Sequence, residues 1–319
     1  MKQTLPTLNL EHYTHGNALE RQKFVQQLGE ALTQLGFFAV SNHSVDLTLV
    51  DKAYNVAAAF FQQSNEVKNA YEKKEYLGKR GYVGFAKERA KGMGAADLKE
   101  FWHIGQQLPA GHPLERVYPK NLWPKSNDAP QQFRDAFTRL YKQYEACAKT
   151  LLEACSSFLK LGPDFLPSLA EHGDSIQRII HYPPLPETAP KGALRAAAHE
   201  DINLITLLCE STAPGLEILH RDGTWVGVHV HAGNLIVDSG DMLQNLSNGI
   251  IKSTTHRVTN PPDNHSARYS MPFFVHPRPE VDLSPVQKCI DASGGQATYP
   301  SLTAGEYLAN RLTENGLAA

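Results

Sequence analysis

The second half of the chain is cut into short pieces, and few folds accept that pattern. After residue 175 come seven short β-favouring runs, SIQRIIHY, INLITLLC, GLEILH, TWVGVHV, NLIVDS, IIKSTTHRV and RYSMPFFVH. Turn signals separate them, notably Arg221-Asp222-Gly223 and Pro261-Pro262-Asp263-Asn264. Short strands with turns between them predict a sandwich, a barrel or a jelly roll. The protein therefore reads as α+β with an all-β core, and its chemistry is to be sought in that core.

The first half reads helical. Phe24, Val25, Leu28, Ala31, Leu32 and Leu35 recur at helical spacing over 19–35, and Gly36 marks a stop. GFFAVSN (36–42) predicts a short buried strand, and a second helix follows Asp46 with Val50, Tyr54, Ala57 and Phe61 on one stripe. The longest helical pattern runs from about 129 to 160, through Phe133, Phe137, Leu140, Tyr144, Cys147, Leu151, Cys155 and Phe158. It ends at Leu161-Gly162-Pro163. Residues 72–128 read as loops with little regular structure. A last helix starts at Thr303, with Glu306 completing a capping box. The expected organisation is 1–125, an N-terminal helical and loop region; 126–174, a supporting helix and connector; 175–280, the β core; and 281–319, a C-terminal segment with a helix. All four are expected to form one catalytic unit.

Composition excludes several function classes. Of 319 residues, 41% are apolar and 20% charged, as in a globular chain with a sizeable core. Thirty-one basic against 33 acidic residues leave a net charge of −2, so no basic footprint argues for nucleic acid. Apolar runs reach about half a dozen residues, against the roughly 18 a membrane span requires. MKQTLPTLNL carries no signal-peptide pattern, and Cys147, Cys155, Cys209 and Cys289 form no CxxC pair. Cys147 and Cys155 lie two helical turns apart, too far to bridge. A cytoplasmic protein with reduced thiols is expected.

Histidine, at 14 residues, carries the most chemistry. His-x-Asp occurs at His172, His199 and His220, so the motif alone is weak. His172 sits at a helix end, and His220 precedes the Asp222-Gly223 turn. His199 instead begins the apolar run INLITLLC, and on extended backbone residues i and i+2 share a face, which lets His199 and Asp201 meet. His256, closing IIKSTTHRV, is the candidate third ligand. Two imidazoles and one carboxylate with positions left open suit non-haem Fe(II), and zinc accepts the same donors. Downstream, Arg268 and Ser270 share a strand face. A guanidinium inside a β core calls for an anion, and a planar carboxylate matches its fork; taken alone, a strand-edge arginine in a surface ion pair is the plainer reading.

Taken in order, His199-x-Asp201, His256 and Arg268-x-Ser270 resemble the isopenicillin N synthase-like family of Fe(II)- and 2-oxoglutarate-dependent oxygenases. SGDMLQNLSNGIIKSTTHRV (239–258) resembles the family's approach to its second histidine ligand. LPTLNL, LGFFAVSNHSV (35–45), AFFQQSNEVKNAY (59–71), GYVGF (81–85), DLKEFWHIG (97–105) and NLWP (121–124) extend the likeness over nearly the whole chain. The resemblance implies a double-stranded β-helix (a jelly roll) flanked by N-terminal helices and one long helix. It implies iron held by His199, Asp201 and His256, with 2-oxoglutarate and O2 as co-substrates. Arg268 and Ser270 would bind the distal carboxylate, assisted by Tyr182. Ile180 stands where plant-type members often carry asparagine. Decarboxylation to succinate would then drive oxidation, most simply hydroxylation, of a small molecule. No side chain is nominated as general acid or base.

Two other readings share these residues: an oxidase on the same scaffold that does not use 2-oxoglutarate, and a binding protein without turnover. His229 and His231 alternate on a strand but lack a carboxylate partner. His43 reads as a satisfied turn histidine, and Cys209 as packing. Arg80, Arg89 and Arg195 fall in variable loops, where contact with an anionic substrate is one reading and solvated surface arginines are the default. The substrate itself is not legible.

Overall fold

The computed structural model describes residues 2–89, 95–185, 187–190, 192–263 and 265–314. Asn264 of the expected 261–264 turn and the last five residues of the C-terminal segment lie outside them.

Two sheets form the core. The strands are β1 (Lys2–Thr4), β2 (Thr7–Asn9), β3 (Phe37–Ser41), β4 (Gly81–Val83), β5 (Glu100–Gly105), β6 (Ile176–Tyr182) and β7 (Ala196–His199). They continue as β8 (Ile205–Leu208), β9 (Leu216–Leu219), β10 (Trp225–His229), β11 (Leu235–Ser239), β12 (His256–Val258), β13 (Arg268–Ser270) and β14 (Pro272–Val275). The smaller sheet runs β1-β10-β9-β12-β7; the larger runs β2-β3-β11-β8-β14-β6-β5-β4, with β13 also paired to β6. The four strands of each sheet drawn from the 175–280 core pair antiparallel, apart from β13 beside them, giving the double-stranded β-helix.

Local chemistry explains the helices that brace it. The helix Ala18–Gln34 begins at Asn17, whose side chain accepts from the Leu19 and Glu20 backbone while Glu20 returns the bond to Asn17 N at 2.8 Å. This capping box satisfies donors that the first turn leaves open. The chain then reverses at Gly36, with φ +72°; a Cβ there would lie 2.7 Å from Lys252 O, so a side chain is excluded by both backbone and space. Helix Leu47–Phe61 starts on the Asp46 carboxylate. The long helix Gln132–Phe158 buries the predicted stripe against the larger sheet, with Tyr144 stacked on Phe273 at 5.5 Å and Tyr141 edge-on at 4.9 Å. Fully burying one such ring contributes roughly 1.5–3 kcal/mol, so Phe273→Ala would open a costly hole. The last helix, Ala304–Glu314, starts on the predicted Thr303–Glu306 box.

The structure corrects several boundaries. Most described residues of 72–128 are irregular, as expected, but the stretch also supplies β4 and β5, and β5 pairs with β6 along six residues. All of β5 is buried, so its two faces show no polar alternation. His199 does not begin the INLITLLC strand but closes the separate strand β7, and Asp201 lies in the bend after it. His256 opens rather than closes its strand, because a short helix, Asp241–Leu246, and its turn occupy the preceding stretch. RYSMPFFVH splits at Met271, just ahead of Pro272, which opens β14 and has no N–H of its own to donate to a ladder.

No described helix is long and apolar enough to cross a membrane. All four cysteines are buried and unpaired, and burial pushes the Cys147 and Cys155 thiols up to about 12.

Candidate metal centre and the pocket beside it

Antiparallel pairing of β7 with β12 sets His199 directly opposite His256, ring centroids 4.4 Å apart. Each ring turns its Nδ1 onto a backbone carbonyl two residues back: Ala197 at 2.7 Å for His199, Thr254 at 3.1 Å for His256. A carbonyl can only accept, so in the neutral ring each Nδ1 carries the proton and each Nε2 presents a lone pair. Asp201 Oδ1 completes the group, 3.8 Å from His199 Nε2 and 3.7 Å from His256 Nε2. The three donor atoms lie within 4.8 Å of one another.

A second layer fixes the carboxylate. The Thr206 hydroxyl donates to Asp201 Oδ2, and Asn203 Nδ2 donates to that hydroxyl at 2.8 Å. Oδ1 is thereby left for the histidines. Asp238, opposite Thr206 in the β11–β8 ladder, also contacts Asp201. Burial, then the charge of Asp201, drives the Asp238 carboxyl far above its usual range. The loop 201–203 comes so close to Gly240 that a Cβ there would lie 2.3 Å from Asn203 O. The Asp241 N–H then holds Asp201 O at 2.8 Å.

Electrostatics keeps the donors ready. Burial, followed by the like charge of His256, lowers His199 to about 4, so it is neutral at physiological pH. Burial alone would raise Asp201, but His256 and His199 outweigh it and hold the carboxyl below its ordinary value. Two neutral nitrogens and one carboxylate oxygen, gathered on one side, fit a divalent ion that keeps positions open for exchangeable ligands.

Arg268, 2% exposed, lies on β13 opposite Tyr182 of β6, its guanidinium 5.0 Å from the Tyr182 ring centre. Its Nε donates to Ala213 O at 3.0 Å and Nη2 to Ser211 Oγ at 2.7 Å, while Nη1 is buried without a partner. Ser211 Oγ also meets Ser270 Oγ at 3.2 Å, and Ser270 faces Ile180 in register. Arg268, Ser270 and Tyr182 thus form one cluster. Two of the arginines expected in solvent are not there: Arg80 and Arg195 are each 1% exposed. Arg80 is bound by Asp174 at 3.0 Å beneath Gly105; Arg89 is exposed as expected.

A cavity of about 250 Å³ opens beside His199 and Asp201, lined by Glu88, Asp97, Lys99, Phe101, Arg178 and Phe274 among others. Its buried charges pair with each other. Lys99 Nζ lies 2.6 Å from Glu88 and 2.7 Å from Asp97, and Arg178 forks onto both Glu88 oxygens at 3.0 and 3.1 Å. Burial works to raise Glu88, but Arg178 and then Lys99 hold it well below the usual carboxylate range. The Arg178 guanidinium also lies 4.3 Å from the Phe101 ring centre. Leu308 and Arg311 of the last helix complete the wall, and Arg311 is bound by Asp241.

The other histidines behave as turn and strand-end residues. His172 has φ +55° after the helix Phe165–Ala170, and His220 pairs with Asp222 in its turn. His43 Nε2 meets Gly233 O at 2.8 Å. Cys209 packs under the Tyr54 hydroxyl at 3.4 Å. Among the described residues, His199, Asp201 and His256 form the one cluster with metal-ligand geometry. The sequence reading missed Thr206, Asp238, Ser211 and the Glu88–Lys99–Arg178 network. Asp238 had a visible signal, since a lone acid in the apolar run NLIVDS demands a buried partner.

Comparison with known proteins gives this geometry a context. The profile described as the non-haem dioxygenase in morphine synthesis N-terminal family matches residues 5–126, and that of the 2OG-Fe(II) oxygenase superfamily matches residues 173–277. The 2-oxoglutarate-Fe(II) type oxidoreductase hxnY of Emericella nidulans is 30% identical over 304 residues, covering 93% of this chain and 86% of its own. Among solved structures, a Caulobacter crescentus protein assigned to the 2OG-Fe(II) oxygenase family superposes with a TM-score of 0.84 at 38% identity, over 97% of this chain and 98% of its own. A Neurospora crassa protein solved with α-ketoglutarate and 5-formyluracil gives 0.83 at 25%, over 97% and 95%.

Proposed function

The chain belongs to the Fe(II)- and 2-oxoglutarate-dependent oxygenases of the isopenicillin N synthase-like family, and from that premise we propose which residues run the reaction and on what. The protein is a non-haem dioxygenase whose cofactors are Fe(II) and 2-oxoglutarate. In our reading His199, Asp201 and His256 hold the iron, and Arg268 and Ser270 take the distal carboxylate of 2-oxoglutarate with Tyr182 beside them. The observation that carries it is the opposition of His199 and His256 in one ladder, with Asp201 Oδ1 turned to both. When bound, the iron and keto acid supply the oxidising power for an unactivated C–H bond. The chain's own residues bind, orient and exclude. Thr206 and Asp238 fix Asp201, the backbone carbonyls fix the imidazole tautomers, and the buried Arg268 aligns the co-substrate.

The primary substrate enters the cavity beside His199. A wall whose buried charges are already matched favours a small polar molecule without large net charge, and the cavity, at about 250 Å³, falls just below the ~300–1,000 Å³ range of small-molecule sites. Hydroxylation is the proposed outcome. The near balance of charge supports a free small molecule over nucleic acid, and four unpaired thiols support a reducing, cytoplasmic setting. We further propose that the four segments, 1–125, 126–174, 175–280 and 281–319, act as one catalytic unit.

Anaerobic titration of the Fe(II)-loaded protein with 2-oxoglutarate tests the site. A saturable visible charge-transfer band, lost in Arg268→Ala at the same concentration, is expected. Persistence of an unchanged band in that variant would remove Arg268 from the site, and undiminished iron binding by His256→Ala would remove the triad.

A further inference from the structure

Arg268 is not the only buried cation beside Tyr182. Arg195, four residues ahead of His199, places its guanidinium 5.9 Å from the same ring centre. Its backbone N–H donates to Asn260 Oδ1 at 3.0 Å and its Nη2 to Ser266 O, while its Nε is buried without a partner. Among the described residues neither arginine forms an ion pair: their acceptors are a hydroxyl and backbone carbonyls. Burial, then the nearby charge of Arg268, lowers Arg195 from its ordinary value. The nearest acid that acts on it, Asp263, is occupied by Ser266 in an exposed turn. Two like charges are thus taken out of water around one aromatic ring, each with an idle N–H. The ring face offsets a fraction of that cost, and a buried cation is normally matched by an anion.

We propose that Arg195 is a second arginine of the 2-oxoglutarate site, a positioning residue that makes the pocket select a dianionic 2-oxo acid over a monoanionic one. It acts through its charge, through the face of Tyr182 and through Ser266, two residues ahead of Arg268. The inference rests on the assignment of Arg268 to the co-substrate. It adds that one guanidinium matches one carboxylate, and the second charge raises the preference for a ligand carrying two.

The test compares Arg195→Gln and Arg195→Lys with the unmodified protein, each Fe(II)-loaded and anaerobic, titrated with 2-oxoglutarate and with the monoanion 2-oxobutyrate. Heat stability with and without each keto acid is recorded in parallel. In Arg195→Gln the 2-oxoglutarate midpoint is expected to rise about tenfold. The 2-oxobutyrate midpoint should stay within about twofold, Arg195→Lys should recover most of the loss, and the thermal shift given by 2-oxoglutarate should shrink in step. Equal shifts for both keto acids, or none for either, overturn the proposal and leave Arg195 a brace for its loop. A band that Arg268→Ala abolishes and Arg195→Gln leaves intact defeats this inference alone. No band in the unmodified protein defeats the co-substrate assignment beneath it. Should Arg195→Gln fail to fold, Arg195→Met, which likewise removes the charge, decides by the same ratio of midpoints, since a brace predicts no discrimination between the two acids.

Discussion

The cavity wall and the Arg268 end of the barrel bury similar numbers of cations and treat them in opposite ways. In the wall, Lys99 and Arg178 meet Glu88 and Asp97 at 2.6–3.1 Å, and the set is close to neutral. Around Tyr182, Arg195 and Arg268 have hydroxyl and carbonyl acceptors and two idle N–H groups. Burying an ion is offset only by a good partner, and removing one partner strands the other. The wall's charges are therefore matched within the polypeptide, whereas those of the Tyr182 cluster are not, in keeping with the proposal that a dianionic ligand completes it.

That contrast can be broken by mutation. The largest effect on folding belongs to the wall: Glu88→Ala strands Arg178 and half-strands Lys99, and should lower unfolding free energy in urea by about 3–5 kcal/mol. At the other end, Arg268→Met should weaken 2-oxoglutarate binding by about a hundredfold while leaving the ligand-free melting temperature unchanged or higher. An equal loss of melting temperature in both variants would erase the distinction. Thr206→Val removes the bond to Asp201 Oδ2 without touching either region, and should cost about 10–100-fold in Fe(II) affinity, read by competition with a chelator. The smallest effect is a pH dependence. Glu88 and Glu100 are both held below their ordinary 4.5 in the folded protein. Their contribution is present in full above that value and fades as pH falls below it. The melting-temperature gap between the unmodified protein and Glu88→Gln should thus be constant from pH 7 to 5 and close at lower pH.

Features governed by local rules were legible in the chain. The capping box at Thr303, the stop at Gly36 and the apolar stripe of the long helix all follow from neighbours within four residues. The metal cluster was legible for a different reason: few residue types bind metal, and His199, Asp201 and His256 kept their order among strands. What escaped depends on distant pairing. β5 looks like loop because the charges Lys99 and Glu100 stand at its start, and partners from elsewhere in the chain, Glu88 for Lys99 and Lys68, Tyr82 and His181 for Glu100, make those charges tolerable beside a buried strand. Arg195 looks like a surface residue for the same reason, since nothing nearby in the chain announces Tyr182 or Ser266. The boundaries of β7 and β12 shifted because a bend and a short helix, Asp241–Leu246, consumed residues that looked extended.

The opposition of His199 and His256 also sets a timetable. Their strands are far apart in the chain and meet through a ladder that several intervening strands must permit, a long-range closure that forms slowly. If His199, Asp201 and His256 hold the iron as proposed, a nascent chain offers Fe(II) at most His199 and Asp201 until β12 has been synthesised and has docked against β7. On that assignment tight iron uptake waits on barrel closure, and a pulse of labelled iron is expected to report the moment the sheet is shut.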